Sequence, residues 1–433
     1  MISQIIFSLA FIAAVIFFTL QVRKIIRNIN LGKDVNRSDR PQERWAIMVK
    51  VALGQSKMVV RPVAGIMHIF VYVGFVIINL EVLEIIIDGI FGTHRIFSFL
   101  GSFYNFLIGS FEILALLVLV GVLVFLARRL IIGLKRFSGV EMTAWPKSDA
   151  LYILLIEVLL MSAFLTMNAA DYKLQMLGYS HYINAGSFPI SGFLIGLLPN
   201  STSALEIIER SCWWFHILGI LAFLNYLPFS KHFHIILAFP NTWYSNLNNK
   251  GKFTNMDSVT NEVKAMLDPS FTPPSTDAIG RFGAKDVQDL NWVQLMNSYS
   301  CTECGRCTSV CPANQTGKLL SPRKIMMDTR DRLEEVGDHK AKNGKDYDDG
   351  KSLLDDYISR EEIWACTTCN ACVEACPINI DPLSIIVDLR RYAVMEESNV
   401  TVSLNAMFSN VENNGAPWKY SPADRLNWAE KEN

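Results

Sequence analysis

Two cysteine-rich stretches carry the clearest chemical signal in the sequence. Residues 301–312 read CTECGRCTSVCP and residues 366–377 read CTTCNACVEACP. Each has the spacing C-x2-C-x2-C-x3-C-P, in which three thiolates bind one [4Fe-4S] cluster and the fourth binds the neighbouring cluster. We therefore predict two clusters, whose ligands are Cys301, Cys304, Cys307 and Cys376 for the first and Cys366, Cys369, Cys372 and Cys311 for the second.

Zinc is the alternative metal for paired cysteines. A structural zinc ion needs four ligands and leaves no use for the third C-x2-C step, so the spacing favours iron and sulfur. The ninth cysteine, Cys212, lies alone in an apolar stretch, where we expect it to be chemically inert.

Histidines in apolar stretches are the second signal, because a neutral imidazole is a good axial ligand for haem iron. Residues 214–234, WFHILGILAFLNYLPFSKHFH, contain three of the seven histidines. On one continuous helix His216 and His234 are about five whole turns apart and share a face, whereas His232 lies about 160° away. His68 lies on an earlier helix of opposite direction, so it should meet His234 at the cytoplasmic end and bind haem b with it.

Acidic residues in apolar stretches are candidates for handling protons or a quinone. Glu81 and Glu84 fall near the outer end of their helix, and Glu112 and Glu157 lie within later helices. The alternative is that a carboxylate at a helix end is simply solvated. No Rossmann glycine fingerprint, P-loop or nucleophile elbow occurs, so no catalytic residue is predicted.

Composition divides the chain into an apolar part and a polar part. The 433 residues are 51% hydrophobic with a net charge of -1, and the polar part begins near residue 241. Five apolar runs with at most one charged residue each are long enough to cross a bilayer, which predicts an all-α bundle of five transmembrane helices. The five runs are 2–22, 62–80, 105–127, 150–170 and 211–237.

The distribution of Lys and Arg predicts how the bundle is oriented. Loops 23–61 and 128–149 contain fifteen of these residues, while loops 88–104 and 171–210 contain three. The positive-inside rule places the N-terminus outside a cytoplasmic (inner) membrane and the cysteine motifs in the cytoplasm. Cysteines in that reducing compartment are metal ligands more often than disulfides.

We expect three regions: a transmembrane cytochrome b-like domain at 1–240, a linker at 241–285, and a cytoplasmic cluster domain at 286–433. Each cysteine motif is followed by a helix start, Ser321-Pro322 and Asp381-Pro382. These starts and the long separation of the motifs favour an α-helical ferredoxin domain.

The chain resembles two known families. Residues 1–240, including LPFSKHFH, resemble the five-helix cytochrome b subunit of respiratory nitrate reductase, the gamma type. Residues 280–433 resemble the cluster-binding part of heterodisulfide reductases and of the electron-transfer-flavoprotein:menaquinone oxidoreductases. The phrases that carry this second resemblance are CTECGRCTSVCPANQTGKLLSPRK, WACTTCNACVEACPINIDPLSIIVDLRR and NNGAPWKYSPADRLNWA.

The sequence departs from both families in one place each. The nitrate reductase pattern has a second histidine on the helix of His68, where this chain has Ile78. One haem b is therefore expected; a second would need His216 with another ligand, such as His94 or His181. Heterodisulfide reductase-like proteins also continue into cysteine-rich CCG repeats, which the resemblance implies are on a separate iron–sulfur subunit.

These features predict a membrane-bound electron-transfer subunit of a quinone-linked oxidoreductase. The resemblance implies menaquinone as the exchangeable substrate, and a CCG-type protein or an electron-transfer flavoprotein as the cytoplasmic partner; nucleic acid is not expected. The alternatives are a heterodisulfide reductase-like subunit acting on a disulfide or hydroxy acid, and a membrane redox sensor or anchor.

Overall fold

A computed structural model describes residues 1–273 and 280–430 of the chain. Residues 274–279, within the predicted linker, and residues 431–433 lie outside the described residues. The described residues are mostly helical and contain no β-strand, only two isolated bridges.

Five helices are long and apolar enough to cross a membrane, as predicted. They are α1 (Ile2–Ile29), α3 (Pro62–Phe91), α4 (Ser102–Leu130), α5 (Trp145–Met176) and α6 (Thr202–Tyr226). Four of them contain their predicted runs, whereas the prediction for the fifth is wrong at both ends, because that helix begins at Thr202 and is interrupted after Tyr226, before Pro228. Helix α2 (Pro41–Met48) continues into a wider turn, Val49–Leu53.

The spanning helices form a closed ring. Each of α3, α4, α5 and α6 contacts the next along the chain, and α1 contacts both α3 and α6. Glycines allow the closest approaches; at Gly74 of α3 a side chain would collide with Val118 of α4. The ring encloses the histidines of α3 and α6.

The polar part consists of shorter helices and the cysteine loops. Ser321 and Asp381 cap the helices after the two cysteine motifs, as predicted, accepting hydrogen bonds from the backbone N–H of Lys324 and Ser384. The remaining helices are α7 (His234–Trp243), α8 (Asp257–Leu267), α9 (Trp292–Ser300), α10 (Arg306–Val310), α11 (Pro312–Gln315), α12 (Pro322–Asn343), α13 (Leu353–Asp356), α14 (Arg360–Ala365), α15 (Ala371–Ala375), α16 (Pro382–Met395), α17 (Val402–Asn414) and α18 (Asn427–Glu430).

The cysteine-containing part packs directly against one end of the helix bundle. One hydrophobic core runs from Ile25 and Ile29 of α1 into α9 and α12. Asn28 donates a hydrogen bond to the Tyr299 hydroxyl at 3.0 Å, and Gly337 of α12 lets α1 approach so closely that a side chain there would collide with Asn28. The bundle therefore positions the cysteine loops through buried contacts.

Candidate metal centres

The two cysteine loops follow the same backbone path. The second residue after the first cysteine has a positive φ in both loops, 54° at Glu303 and 57° at Thr368. The residue after the second cysteine does so as well, 68° at Gly305 and 62° at Asn370. Each loop then enters a short helix, α10 or α15, and these two helices contact each other. The repeated motif therefore produces a repeated structure whose halves face each other.

The first predicted ligand set is brought together around one cavity. Its lining includes the first three cysteines of the first motif and Cys376 of the second, and also Cys372, which belongs to the second predicted set. Cys376 accepts a hydrogen bond from the backbone N–H of Ile380 at 3.3 Å. This arrangement matches the predicted exchange of the fourth ligand between the motifs.

The second predicted set is also close together. Burial raises the pKa of Cys366, and the neighbouring thiols of Cys311 and Cys369 raise it further. Cys366 and Cys311 in turn raise the pKa of the buried Cys372. Cys369 is the exposed member of the set. The two sets thus differ in their access to solvent.

The chemistry of these thiols fits iron–sulfur clusters. Burial raises the pKa of Cys301 to about 12 and that of Cys376 to about 11. Crowded, buried thiolates are unfavourable unless a positive centre lies among them, and a coordinated metal keeps thiols deprotonated. Backbone N–H groups that point at sulfur, such as that of Thr368 at 3.4 Å from Cys366 Sγ, stabilise the ligated form further.

His68 and His234 face each other inside the bundle end nearest the cysteines. Their ring centres are 6.4 Å apart and the rings are inclined by 44°. A first-row metal bound by two imidazoles, with metal–nitrogen distances of about 2 Å, separates the ring centres by about 6 Å. The observed spacing therefore fits one metal between the two rings.

The surroundings of these rings also suit a large metal-containing group. Both rings line a cavity of about 400 Å³ whose lining is mainly apolar. His234 Nδ1 lies 3.1 Å from the backbone oxygen of Lys231, which leaves Nε2 free for a metal. His68 Nδ1 is buried without a hydrogen-bond partner among the described residues. The residues present thus fit haem b.

His216 lines the same cavity, farther from the cysteines. Its ring is 1% exposed, and its Nδ1 lies 3.0 Å from the Leu160 backbone oxygen, an orientation like that of His234. No described histidine faces it: Ile78 lines the cavity, while His94 and His181 contact each other and Tyr182 in the loops after α3 and α5. The structure does not bring either of these two to His216.

The expectation that His232 faces away from the other histidines is wrong. Its ring centre is 5.5 Å from that of His234, and it lines the same cavity. The reason is that helix α6 ends at Tyr226, and two tight turns around Pro228 precede α7. The prediction places His232 on another face because it assumes one continuous helix through this segment.

A buried ion pair connects the histidine segment to the first cysteine loop. Lys231 Nζ contacts the Glu303 carboxylate, and their side chains are 7% and 3% exposed. Arg330 of α12 binds the same carboxylate at 3.0 Å, and Lys231 Nζ also donates to the Pro146 backbone oxygen at 2.5 Å. Lys231 therefore contacts one metal-binding loop through its side chain and His234 through its backbone.

Of the predicted quinone and proton candidates, Glu84 belongs to a buried polar network at the other end of the bundle, and Glu81 lies buried about one helical turn from it. Glu84 accepts hydrogen bonds from the Phe97 backbone N–H and the Tyr104 hydroxyl, both at 2.8 Å. Arg95 donates to that hydroxyl at 3.1 Å. Glu81 is 4% exposed, and its Oε2 has no hydrogen-bond partner among the described residues. Neither glutamate is solvated at a helix end.

The other predicted candidates have more limited roles. Glu112 of α4 accepts from the backbone N–H groups of Ile190 and Ser191 and stabilises that loop. Glu157 lines the histidine cavity. Cys212 is partly buried and packs against the hydrophobic core of the helix bundle.

Sequence reasoning missed two groups at the junction of the two parts. One is the Lys231–Glu303 pair. Its only sign in the sequence is that the first motif has an acidic residue, Glu303, at the position where the second motif has Thr368. The other is a set of arginines at the end of α4 and in the turn after it, which in the sequence indicate only how the bundle is oriented in the membrane. Arg128, Arg129 and Arg136 also line the histidine cavity.

Comparison with known proteins bears on the cysteine-containing part. A family model described as "4Fe-4S dicluster domain" matches residues 294–377, and one described as "4Fe-4S binding domain" matches residues 365–392. The comparisons thus support the predicted [4Fe-4S] character of both motifs. No solved structure matches.

Two curated relatives are similar over nearly the whole chain. The probable iron-sulfur-binding oxidoreductase FadF of Bacillus subtilis is 29% identical over 96% of this chain and 59% of its own length. The EtfAB:quinone oxidoreductase of Syntrophomonas wolfei is 27% identical over 92% of this chain and 55% of its own length. The chain therefore spans less than two thirds of either relative.

A third relative matches a smaller share of the chain. One of the polypeptides of the dihydromethanophenazine:CoB–CoM heterodisulfide reductase of Methanosarcina mazei is 28% identical over 33% of this chain and 35% of its own length. Similarity to quinone-linked and heterodisulfide-linked oxidoreductases confirms that part of the predicted resemblance. The resemblance to the nitrate reductase gamma subunit stays a prediction.

Proposed function

We propose that this chain is a membrane-bound electron-transfer subunit of a quinone-linked oxidoreductase. One observation carries the proposal: a single cavity is lined by His68 and His234 on one side and by Cys304 of the first cysteine loop on the other. Paired buried histidines adjoining a cluster loop are the arrangement that electron transfer between soluble and membrane-bound centres requires. The FadF-like and EtfAB:quinone oxidoreductase relatives support this interpretation.

The chain's own residues would bind the redox groups. Cys301, Cys304, Cys307 and Cys376 would bind one [4Fe-4S] cluster; Cys366, Cys369, Cys372 and Cys311 would bind the other. His68 and His234 would be the axial ligands of one haem b, and His216 the ligand of a second haem if one binds. When bound, these groups would supply one-electron centres between a cytoplasmic partner and the membrane.

The domain division belongs to the same proposal. Residues 1–240 form the cytochrome b-like bundle of the nitrate reductase gamma type, 241–285 the connection, and 286–433 a cytoplasmic α-helical ferredoxin domain. The membrane is the cytoplasmic (inner) membrane, and the N-terminus lies outside. The cluster domain packs on the loops that contain most of the Lys and Arg residues, which supports this orientation.

We propose menaquinone as the membrane-soluble substrate, with its protons handled at Glu81. This side chain is buried near the network at the outer end of α3, and one of its oxygens is free to exchange a proton. Glu84 instead positions the outer loop through Phe97 and Tyr104. The cytoplasmic partner would be a CCG-type iron–sulfur protein or an electron-transfer flavoprotein.

A second candidate function is favoured by the heterodisulfide reductase relatives. In it, the same centres would serve a partner that acts on a disulfide or a hydroxy acid. Copurification from the native membrane distinguishes the two, because a flavoprotein partner supports the first, and a partner that reduces a disulfide or oxidises a hydroxy acid supports the second.

The test of the main proposal is spectroscopic. Purified full-length protein should contain about eight cluster irons and show a reducible haem b spectrum. His68→Ala should abolish the haem signal, while His181→Ala, which changes a histidine of the outer loops, should retain it. Zinc instead of iron, or intact haem in His68→Ala, would refute the assignment.

A further inference from the structure

Four arginines line the histidine cavity. One of them, Arg306 of the first cysteine loop, donates to the backbone oxygens of Lys57 and Met58, and the other three come from α4 and the turn after it. Arg128 and Arg129 are at the end of α4, and Arg136 is in the turn that follows it. We call these three residues the arginine cluster. His68 and His234 line the same cavity, so the cluster lies beside the predicted haem position.

The arginine cluster lacks acidic partners within the described ranges. None of its members has a carboxylate within 4.0 Å there, although Arg95, Arg323, Arg330 and Arg332 all do. Arg136 is the clearest case: its Nε and Nη1 are buried and have no hydrogen-bond partner among the described residues. Buried cations of this kind are costly unless an anion pairs with them.

The packing of the guanidinium groups keeps them at the cavity. The central carbons of Arg129 and Arg136 lie 4.2 Å and 4.8 Å from the centre of the Phe137 ring. Cation–π contact with one ring restrains both side chains and leaves their N–H groups free to donate elsewhere. Burial, together with the nearby Arg61, lowers the pKa of Arg136 to about 10. An anion at this point would remove the repulsion.

Two anions could fill this need: the thiolates of the first cluster or the carboxylates of a haem. Cys304 does line the cavity, but sulfur is a weaker acceptor than a carboxylate oxygen, and each of the two unpaired Arg136 nitrogens can donate a charge-assisted hydrogen bond to such an oxygen. The rest of the cavity around the histidines is largely apolar and suits a porphyrin ring. The ionised edge of such a ring would lie at the arginine cluster, which has no acidic partner among the described residues, whereas Lys231 of the same lining pairs with Glu303.

We propose that the arginine cluster binds the propionate carboxylates of the haem. The haem would then be oriented with its carboxylate edge toward the first cysteine loop. This inference rests on the haem assignment in the proposed function.

The experiment compares haem with its dimethyl ester, in which both carboxylates are blocked. Full-length protein in detergent, depleted of haem, is titrated with each compound, and binding is followed by optical absorbance. We expect the wild type to bind the ester about tenfold more weakly than haem, the effect of losing hydrogen bonds to a charged group. In Arg129→Gln/Arg136→Gln the ratio should fall to about twofold or less, because haem itself binds less tightly.

Matched variants separate the outcomes. Arg23→Gln changes an exposed arginine of α1 and should retain the wild-type ratio. Equal affinity of wild-type protein for haem and ester overturns the inference without any variant. If the double variant keeps the wild-type ratio of haem to ester affinity but has altered cluster reduction potentials, the inference is overturned, and the arginines instead interact with the cluster thiolates. Absence of any bis-histidine haem spectrum in the wild type instead refutes the proposed function.

Discussion

The Lys231–Glu303 pair should contribute most to the attachment of the first cysteine loop to the bundle. Replacing Lys231 with Met retains the side chain's length and removes its charge. Glu303, which is 3% exposed, would then keep only Arg330 as a partner, and the Pro146 backbone oxygen would lose its donor. A buried carboxylate would thus lose one of its two cations.

The size of the effect follows from the burial. Breaking a buried ion pair costs about 3–5 kcal/mol when the remaining charge has no partner. Because Arg330 remains at 3.0 Å, we expect a loss of about 2–3 kcal/mol. For the cluster domain, residues 286–433, melting as one unit, that loss corresponds to a decrease of about 5–10 °C in melting temperature.

The control is another Lys–Glu pair of the same chain. Lys250 contacts Glu374 with side chains that are 75% and 55% exposed. Exposed pairs contribute at most about 1 kcal/mol, so Lys250→Met should melt within about 3 °C of the wild type.

Circular dichroism of the detergent-solubilised protein, at one scan rate for all variants, measures these differences. The double variant Lys231→Met/Glu303→Gln should be more stable than the sum of the single effects predicts, because each single change already removes the same ion pair. Equal melting of Lys231→Met and Lys250→Met would refute the reasoning, and so would strict additivity in the double variant.

Three further predictions test other parts of the molecule. Cys376→Ser should remove the same cluster signal in electron paramagnetic resonance as Cys304→Ser, although the two residues belong to different motifs; loss of signals from different clusters would contradict the exchange of ligands. Glu81→Gln should slow menaquinol-dependent haem reduction by at least about tenfold, whereas Glu84→Gln should mainly lower the melting temperature; the reverse pattern would exclude Glu81 from proton transfer. Arg332 of α12 lowers the pKa of Asp349, so the ionised Asp349 carboxylate stabilises the fold above about pH 4, and this contribution is lost as the pH falls. The melting temperature of Asp349→Asn should therefore depend less on pH in acid than that of the wild type. Identical pH profiles of the two proteins would contradict this prediction.

The sequence predicted the features that depend on local spacing. The C-x2-C-x2-C-x3-C-P motif determines its own loop, and both copies adopt positive φ at the same offsets. The capped helix starts at Ser321 and Asp381 and the five apolar spans are local features as well. Such patterns need no knowledge of the rest of the chain.

Features that depend on distant contacts could not be predicted. The position of His232 depends on where α6 ends, and rotation along a continuous helix cannot describe a segment interrupted at Pro228. The burial of Glu84 depends on an outer loop that returns Phe97 and Arg95 to α3. Helical periodicity alone gives no information on which loops cover a helix end.

The difference between the two cysteine loops determines the order of the centres. Their backbones match, but the first loop has Glu303 where the second has Thr368, and Glu303 pairs with Lys231 of the histidine segment. The first loop therefore faces the bundle. The second has the exposed Cys369, so it is the side that a soluble partner can approach. Since electron transfer falls steeply with distance, a partner docked at the second loop would be separated from the histidines by the first.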